Sequence, residues 1–273
     1  MVKWMFLDEL QLVEINVPRA ALQISRAVAY PNLNVATYMN RLHELSEEAA
    51  ESIDENAAIS LQAEQLSAYL FQTLGFRGNS EQYNDPRNSF LNDVLDRRIG
   101  IPITLSIVYV DIATRLGIPA YGIGLPGHYI VGVRERESDI WLDPFYGGRR
   151  LDLTDCSEVI RMATGYEGPL EASWFAPYPP RAILARILSN LRSSYVASGA
   201  WTQATDVIQL LRQVQPTEAE HLRDLGLVHY HQQHLPKAAH YLNAYLQQKP
   251  DATDAQLIRE GIKNILDEWV PMN

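Results

Sequence analysis

The last third of the chain repeats itself with a period of 34 residues. Ala204 and Ala238 are separated by this distance, and so are Pro216 and Pro250. The same offset relates three pairs of apolar residues: Leu188 with Leu222, Leu191 with Leu225, and Ile208 with Leu242. A fixed period of this length is typical of stacked helix pairs, because one pair cannot bury its apolar face alone. The sequence therefore predicts an all-α region of repeated helical hairpins.

These repeats follow the tetratricopeptide pattern. We expect the first repeat over residues 185–218, the second over 219–252, and a closing helix over 253–270. Gly226 occupies the glycine position of the second repeat, whereas the first repeat has Arg192 there. Two unrelated helical hairpins are the alternative, since amphipathic helices match a period by chance in some sequences.

The first part of the chain combines helices with short strands. Three helical stretches are expected within residues 19–76, and a further helix should begin at Pro102, since proline suits the first helical turn. The predicted strands are Ala120–Gly124, His128–Arg136 and Ile140–Pro144. A helix followed by an antiparallel meander is an α+β arrangement.

The predicted domain organisation has three parts. A helical plus α+β domain covers residues 1–165, a linker rich in proline and aromatic residues covers 166–182, and the repeat domain covers 183–273.

The composition narrows the possible partners and the compartment. With 33 acidic and 23 basic residues the net charge is −10, which disfavours nucleic acid and anionic membranes as partners. The single cysteine, Cys156, fits a reducing compartment. No signal peptide and no long apolar stretch is recognisable, so we expect a cytoplasmic protein. No pattern indicates a cofactor.

Three segments carry a resemblance to a known family: DPRNSFLNDVLDRRIGIPITLS, LGIPAYGIGLPGHYIV and WLDPFYGG. With the repeats that follow them, they resemble the bacterial SirB-type family, in which a transglutaminase-like domain precedes tetratricopeptide repeats. The resemblance implies a papain-like core with a small antiparallel sheet. Members of this family are described as regulators.

The wider transglutaminase-like pattern implies a candidate site with one departure. In that pattern a cysteine is the second residue after a glycine and precedes a second glycine by fifteen residues. Gly100 and Gly117 place that position at Pro102, and the histidine and aspartate positions fall on His128 and Asp143. Proline has no nucleophilic atom, and acyl transfer through a covalent intermediate requires one.

Three interpretations of this site follow. In the first, the site is catalytically inactive, and His128 and Asp143 persist as a structural hydrogen bond. In the second, the hydroxyl of Ser106, one helical turn beyond Pro102, replaces the thiol. In the third, Cys156 is the nucleophile, activated at a helix N-terminus that Thr154 and Asp155 cap. The last two describe an amide-bond hydrolase or transamidase.

The repeats suggest a protein or peptide partner. The inner helix positions of the pattern fall on Arg186, Ser189, Ser193, Val196, Glu220, Arg223, Leu227 and Tyr230. Because arginine and tyrosine are frequent interface anchors, Arg223 and Tyr230 are the candidate partner-binding residues. The spacing of His231 and His234 could place two metal ligands on one helix face, but no carboxylate or thiol accompanies them, and we predict no metal site. An inner surface covered by the rest of the chain is the alternative.

Overall fold

The structure is a computed structural model that describes residues 2–136 and 138–269. Met1, Glu137 and residues 270–273, which the predicted domains and the end of the closing helix include, lie outside the described residues. The described chain divides into two units. One contains the residues up to 26 together with 30–187, and the other contains residues 27–29 and those from 188 onwards. The predicted domain boundaries remain predictions.

Helices dominate the described chain. They are α1 (Val2–Leu10), α2 (Val17–Val28), α3 (Val35–Ala50), α4 (Ile59–Ser67), α5 (Leu91–Arg97), α6 (Pro102–Arg115), α7 (Leu153–Thr164), α8 (Pro180–Ala197), α9 (Trp201–Val214), α10 (Glu220–His231), α11 (Leu235–Gln248) and α12 (Ala255–Trp269). A π-helical turn, Ala68–Thr73, continues α4, and 3-10 turns form at Pro86–Asn88, Pro144–Tyr146 and Ala172–Phe175. None of the helices described is long and apolar enough to cross a membrane.

The strands form a small antiparallel meander and one short parallel pair. They are β1 (Arg77–Gly78), β2 (Ile99–Gly100), β3 (Ala120–Ile123), β4 (Ile130–Val133), β5 (Ile140–Asp143) and β6 (Arg149–Leu151). The order in the larger sheet is β3-β4-β5-β6, and β1 pairs with β2 in parallel. The α+β prediction is therefore confirmed. Strand β4 is shorter than predicted, and β6 was not expected from the sequence.

Helix α6 is the central element of the first unit. It begins at Pro102, as predicted, and Gly117 follows its end with a φ of +78°, a conformation that favours glycine. Every side chain from Pro102 to Tyr109 is buried, and the Tyr109 hydroxyl donates a hydrogen bond to the carbonyl of Ala63 (2.7 Å). The helix packs against α3, β3 and β4. This packing fixes the height of its first turn relative to the sheet.

The second unit consists of the predicted helix pairs. The part of α8 from Leu188 onwards and α9 follow one another as the first predicted pair, α10 packs against α9 and α11, and α12 packs against α11. The repeated Ala204 and Ala238 are fully buried. A Cβ on Gly226 would lie 2.5 Å from Cγ of Leu242, which explains the glycine in the second repeat. In the first repeat, Nη1 of Arg192 lies 2.6 Å from Oδ2 of Asp224.

Candidate functional site

The structure brings His128 and Asp143 together. Nε2 of His128 lies 3.0 Å from Oδ2 of Asp143, and the histidine is 7% exposed while the aspartate is fully buried. A carboxylate accepts a hydrogen bond from the ring nitrogen that carries the proton, so the pair favours the tautomer with hydrogen on Nε2. Nδ1 is then the ring nitrogen left to accept a proton.

The backbone before β4 aims His128 at this carboxylate. His128 lies in the turn ahead of the strand, where its amide donates to the carbonyl of Leu125 (3.2 Å). Gly127 has a φ of +71°, and a Cβ there would lie 2.6 Å from the Cβ of Ala163. Both the left-handed conformation and the close approach to α7 require glycine before the histidine.

Asp143 also organises the chain that follows it. Its Oδ1 accepts hydrogen bonds from the amides of Phe145 (3.0 Å) and Tyr146 (3.4 Å), so the side chain caps the 3-10 turn after β5. That turn places the ring of Tyr146 over His128, with centroids 6.1 Å apart, and the ring of Phe145 edge-on to it at 6.2 Å. One aspartate therefore fixes the histidine and the two aromatic rings around it.

A cavity of about 850 Å³ borders this pair, and we call it the His128 cavity. Its lining includes Pro102, His128, Ser80, Tyr83, Tyr146, Arg149, Glu158 and Met162. Ser80, Tyr146 and Met162 are exposed, so the cavity opens at the surface. Pro102 and His128 thus both line this cavity.

Sequence reasoning missed the wall formed by Ser80 and Tyr83. The buried side chain of Asn88 shapes this loop, because its Nδ2 donates to the carbonyls of Gln82 (2.7 Å) and Tyr83 (3.2 Å). Burial raises the pKa of Tyr83. The motif DPRNS contained the signal, since a polar residue directly after a turn often bonds to nearby backbone.

Ser106 lies elsewhere. Its buried hydroxyl donates to the carbonyl of Pro102 (2.8 Å), and the residue lines a different cavity from that of His128. The hydroxyl bonds to the carbonyl four residues back, as serine commonly does inside a helix. The structure therefore does not bring Ser106 to the His128 cavity.

Cys156 is also apart from that cavity. It is fully buried in an apolar cluster with Ile123, Leu125 and Ile160. Burial, with a smaller contribution from nearby aspartates such as Asp155, raises the pKa of its thiol to about 12. The predicted cap was wrong: Asp152 caps α7, so Cys156 lies beyond the first helical turn. Its environment disfavours the thiolate, whereas a reactive cysteine needs that form.

In the second unit, two adjoining cavities form a groove along the inner helices, which we call the repeat groove. One, of about 320 Å³, is lined by residues of α8 to α10 that include Ser193, Val196, Trp201, Arg223 and Leu227. The other, of about 450 Å³, is lined by residues of α10 to α12 that include Arg223, Leu227, Tyr230, Leu257, Gly261 and Asn264. The shared Arg223 and Leu227 make the two continuous.

The candidate anchors differ in their freedom. Arg223 is held by Asp254 (Nη1 to Oδ2, 2.9 Å) and Asp224 (Nη2 to Oδ1, 3.2 Å). Tyr230 is partly buried and lines the α12 side of the groove. Arg186, at an expected inner position, instead donates to the carbonyls of Leu125 (3.1 Å) and His128 (2.8 Å).

Across the residues described, no group of three or more His, Cys, Asp or Glu side chains could hold a metal ion.

Comparison with known families and proteins supports both parts of this architecture. Residues 36–189 match the transglutaminase-like superfamily, and residues 191–263 match the tetratricopeptide repeat. A protein of Xylella fastidiosa named UPF0162 protein is 36% identical over 253 residues, which cover 92% of this chain and 90% of that protein. A UPF0162 protein of Pseudomonas aeruginosa is 33% identical over 223 residues, covering 81% of this chain and 80% of its own.

A shorter match extends beyond bacteria. The mouse protein F-box only protein 21 is 30% identical over 146 residues, which cover 50% of this chain and 22% of that protein.

The two family matches define the class of this chain as a transglutaminase-like protein with tetratricopeptide repeats. Within that class, the chain belongs to the UPF0162 family, the SirB-type proteins.

Proposed function

We propose that this protein is a cytoplasmic protein-binding or regulatory module that holds an apolar segment of a partner in the repeat groove. The observation that carries the proposal is the row of exposed apolar side chains along that groove. Val196 is 41% exposed, Leu227 is 42% exposed and Leu257 is 69% exposed. Val196 and Leu257 each line one of the two adjoining cavities, and Leu227 lines both. Covering them removes apolar surface from water, at about 25 cal/mol per Å².

The arginines and aspartates of the groove are already paired. Arg223 bridges Asp224 and Asp254, and the Tyr245 hydroxyl donates to Oδ1 of Asp254 (2.7 Å). Arg223 is therefore held in place as part of the groove surface. The anchoring contacts with the partner are made by Tyr230, Leu227 and Leu257. A partner that matches this surface is an amphipathic segment with apolar side chains three or four residues apart, since such segments lie in apolar grooves.

A peptide-display selection on the full-length protein tests this proposal. Selected peptides should bind with dissociation constants that rise at least about tenfold when Leu227 is changed to Asp, because a carboxylate would be desolvated in the interface. Leu153→Asp is the matched control, since Leu153 is 56% exposed in the first unit. Two results would exclude the groove as the binding surface. One is an equal loss of affinity in both variants, and the other is peptide binding that Leu227→Asp leaves unchanged.

We further propose that the His128 cavity performs no acyl transfer. The residues described around it include no cysteine, and the resemblance aligns Pro102 with the thiol position of the wider pattern. The chain's single cysteine is packed in the apolar cluster formed by α7 and the sheet. His128 and Asp143 then hold the shape of a cavity that binds without turnover.

Hydrolysis is the second candidate, and the open cavity beside His128 favours it. There Nδ1 of His128 could take a proton from a water molecule that attacks a bound amide or ester, with Asp143 orienting the ring. Neither Ser106 nor Cys156 lines this cavity, so a displaced protein nucleophile is the weaker form of this candidate.

One set of variants separates the two candidates. Release of ammonia from glutamine peptides and cleavage of a 4-nitrophenyl ester are measured for the unchanged protein, His128→Ala, Ser106→Ala and Cys156→Ala. We expect no turnover that depends on any of the three residues. Turnover that is lost only in His128→Ala would establish hydrolysis by water, and loss in Ser106→Ala or Cys156→Ala would establish a displaced nucleophile.

A further inference from the structure

The first unit contains a second cavity that neither proposed function uses, and we call it the Tyr129 cavity. Its volume is about 310 Å³, near the lower limit of about 300 Å³ for small-molecule sites. It is bounded by the chain entering α2, by the outer side of α6 and by the start of α8. Apolar side chains form most of its wall: Ile15, Val17, Pro18, Ile107, Val110 and Ile183.

One buried hydroxyl in this wall has no partner. Tyr129 is 1% exposed, and its hydroxyl makes no hydrogen bond within the protein. The hydroxyl lies against Gly122, which also lines the cavity: a Cβ on Gly122 would be 2.0 Å from it. Glycine at this position therefore leaves room for the hydroxyl at the cavity wall. An unsatisfied buried hydroxyl costs about 1–3 kcal/mol, so it is expected to find a partner.

Two hydroxyl groups and one ion pair around the same cavity are otherwise occupied. The Ser106 hydroxyl donates to the carbonyl of Pro102 (2.8 Å), and the Thr114 hydroxyl donates to the carbonyl of Val110 (2.7 Å). Nε of Arg115 lies 2.7 Å from Oδ2 of Asp111, so the charge at the rim is paired. An anionic ligand would have to break that pair or remain uncompensated, which disfavours it.

The state of Tyr129 makes it a donor. Burial raises the pKa of its phenol, so the hydroxyl keeps its proton at neutral pH. The guanidinium of Arg186 lies over the ring, 5.5 Å from its centroid, and the ring of Tyr178 packs edge-on at 5.8 Å. These contacts hold the ring in place, so the direction of the hydroxyl is fixed.

We propose that the Tyr129 cavity binds a small, uncharged and mainly apolar molecule whose carbonyl oxygen accepts a hydrogen bond from the Tyr129 hydroxyl. The apolar wall supplies most of the binding free energy, and the Tyr129 hydroxyl orients the ligand. A hydrocarbon of the same shape lacks the acceptor and leaves the hydroxyl unpaired.

Two probes of matched shape test this proposal: acetophenone and α-methylstyrene, which differ in having a carbonyl oxygen or a methylene group. Their dissociation constants for the full-length protein are measured by NMR titration. One hydrogen bond makes acetophenone about fivefold tighter. In Tyr129→Phe that preference should disappear while α-methylstyrene still binds. Tyr146→Phe, the same change in the His128 cavity, should preserve it, and Val110→Phe, which fills the Tyr129 cavity, should weaken both probes.

Two results would overturn the proposal. One is a failure of both probes to bind the unchanged protein, and the other is a ketone preference that survives in Tyr129→Phe. The melting temperature of the unliganded variant adds an independent criterion. Because the hydroxyl has no internal partner, Tyr129→Phe should melt at the same temperature as the unchanged protein or higher. A clear fall in melting temperature would reveal a partner within the protein and count against a ligand site.

Discussion

The His128 cavity and the repeat groove are both concave, but they differ in which side chains remain without favourable contacts. At the His128 cavity the key polar groups are buried and bonded to one another, with Asp143 accepting three hydrogen bonds. Along the repeat groove the ion pairs are complete, and apolar side chains such as Leu227 and Leu257 remain exposed to water. Internal hydrogen bonds hold the His128 cavity in its shape. Covering the repeat groove is favourable because it removes apolar surface from water.

The contrast follows from what Asp143 holds in place at the His128 cavity. The His128–Asp143 pair has a structural role that does not depend on catalysis, because the same carboxylate caps the turn carrying Phe145 and Tyr146. A proline at position 102 also suits the helix start, since no amide hydrogen is needed there. The contacts of Asp143 and the proline at the helix start therefore both stabilise the fold around the cavity.

The largest expected effect comes from Asp143→Ala. This change leaves His128 Nε2 and two backbone amides without their acceptor, so the free energy of unfolding should fall by about 3–4 kcal/mol. Urea denaturation measures it. Asp143→Asn keeps an acceptor oxygen and should lose much less. A loss below about 1 kcal/mol in Asp143→Ala would show that the pair is not a structural element and would weaken the contrast between the two surfaces.

The next effect concerns Arg186, which supports the backbone of the His128 turn. Arg186→Leu removes two donated hydrogen bonds, to the carbonyls of Leu125 and His128, and should cost about 2 kcal/mol of unfolding free energy. Arg186→Lys keeps the charge but not the forked geometry, so its unfolding free energy should lie between that of Arg186→Leu and that of the unchanged protein. Equal stability of Arg186→Leu and the unchanged protein would show that these bonds do not support the turn.

The expected effect at Gly226 is smaller and tests the packing under the repeat groove. Gly226→Ala forces a Cβ to within 2.5 Å of Leu242 and should destabilise the protein by about 1–2 kcal/mol. Gly261 in α12 is the matched control, because a Cβ there meets nothing within 4 Å. Gly261→Ala should be stabilising by up to about 1 kcal/mol through helix propensity. Thermal unfolding of both variants decides whether the glycine of the second repeat is a packing requirement.

The sequence predicted the architecture well because periodicity reports directly on buried faces. The 34-residue offset located the helix pairs, and the spacing of His128 and Asp143 placed them on neighbouring elements that the meander brings together. Ser106 and Cys156 could not be placed this way. Whether a hydroxyl or thiol reaches a cavity depends on the neighbouring packing, and here Ser106 bonds to Pro102 and Cys156 packs between α7 and the sheet.

The loop carrying Ser80 and Tyr83 illustrates the remaining limit. Its path depends on the buried Asn88 side chain, whose bonds join residues five and six positions apart without any hydrophobic period. The unpartnered hydroxyl of Tyr129 could not be predicted either, since it results from the contact of Tyr129 with Gly122 in strand β3. Sequence patterns identify elements, whereas these features arise from how the elements pack.

The smallest expected effect is a pH dependence that belongs to the repeat groove. Hydrogen bonds from Arg223 and Tyr245 lower the pKa of Asp254 below its ordinary value of 3.8. A carboxyl group whose pKa is lowered by folding stabilises the protein above its unfolded pKa, and this contribution disappears as the pH falls through the folded pKa. Since Asp254 and Arg223 are partly exposed, the contribution should stay below about 1 kcal/mol.

The measurement is urea denaturation of the unchanged protein and Asp254→Asn at pH 7, 5 and 3. The difference in unfolding free energy should be similar at pH 7 and 5 and should shrink at pH 3, where the carboxyl group begins to take up its proton. Asp251→Asn, at an exposed residue nearby, controls for general charge effects. A difference that is the same at all three pH values would mean that Arg223 is not held through the charge of Asp254. Arg223 would then return as a free anchor for the partner, and the two concave surfaces would differ less than their geometry indicates.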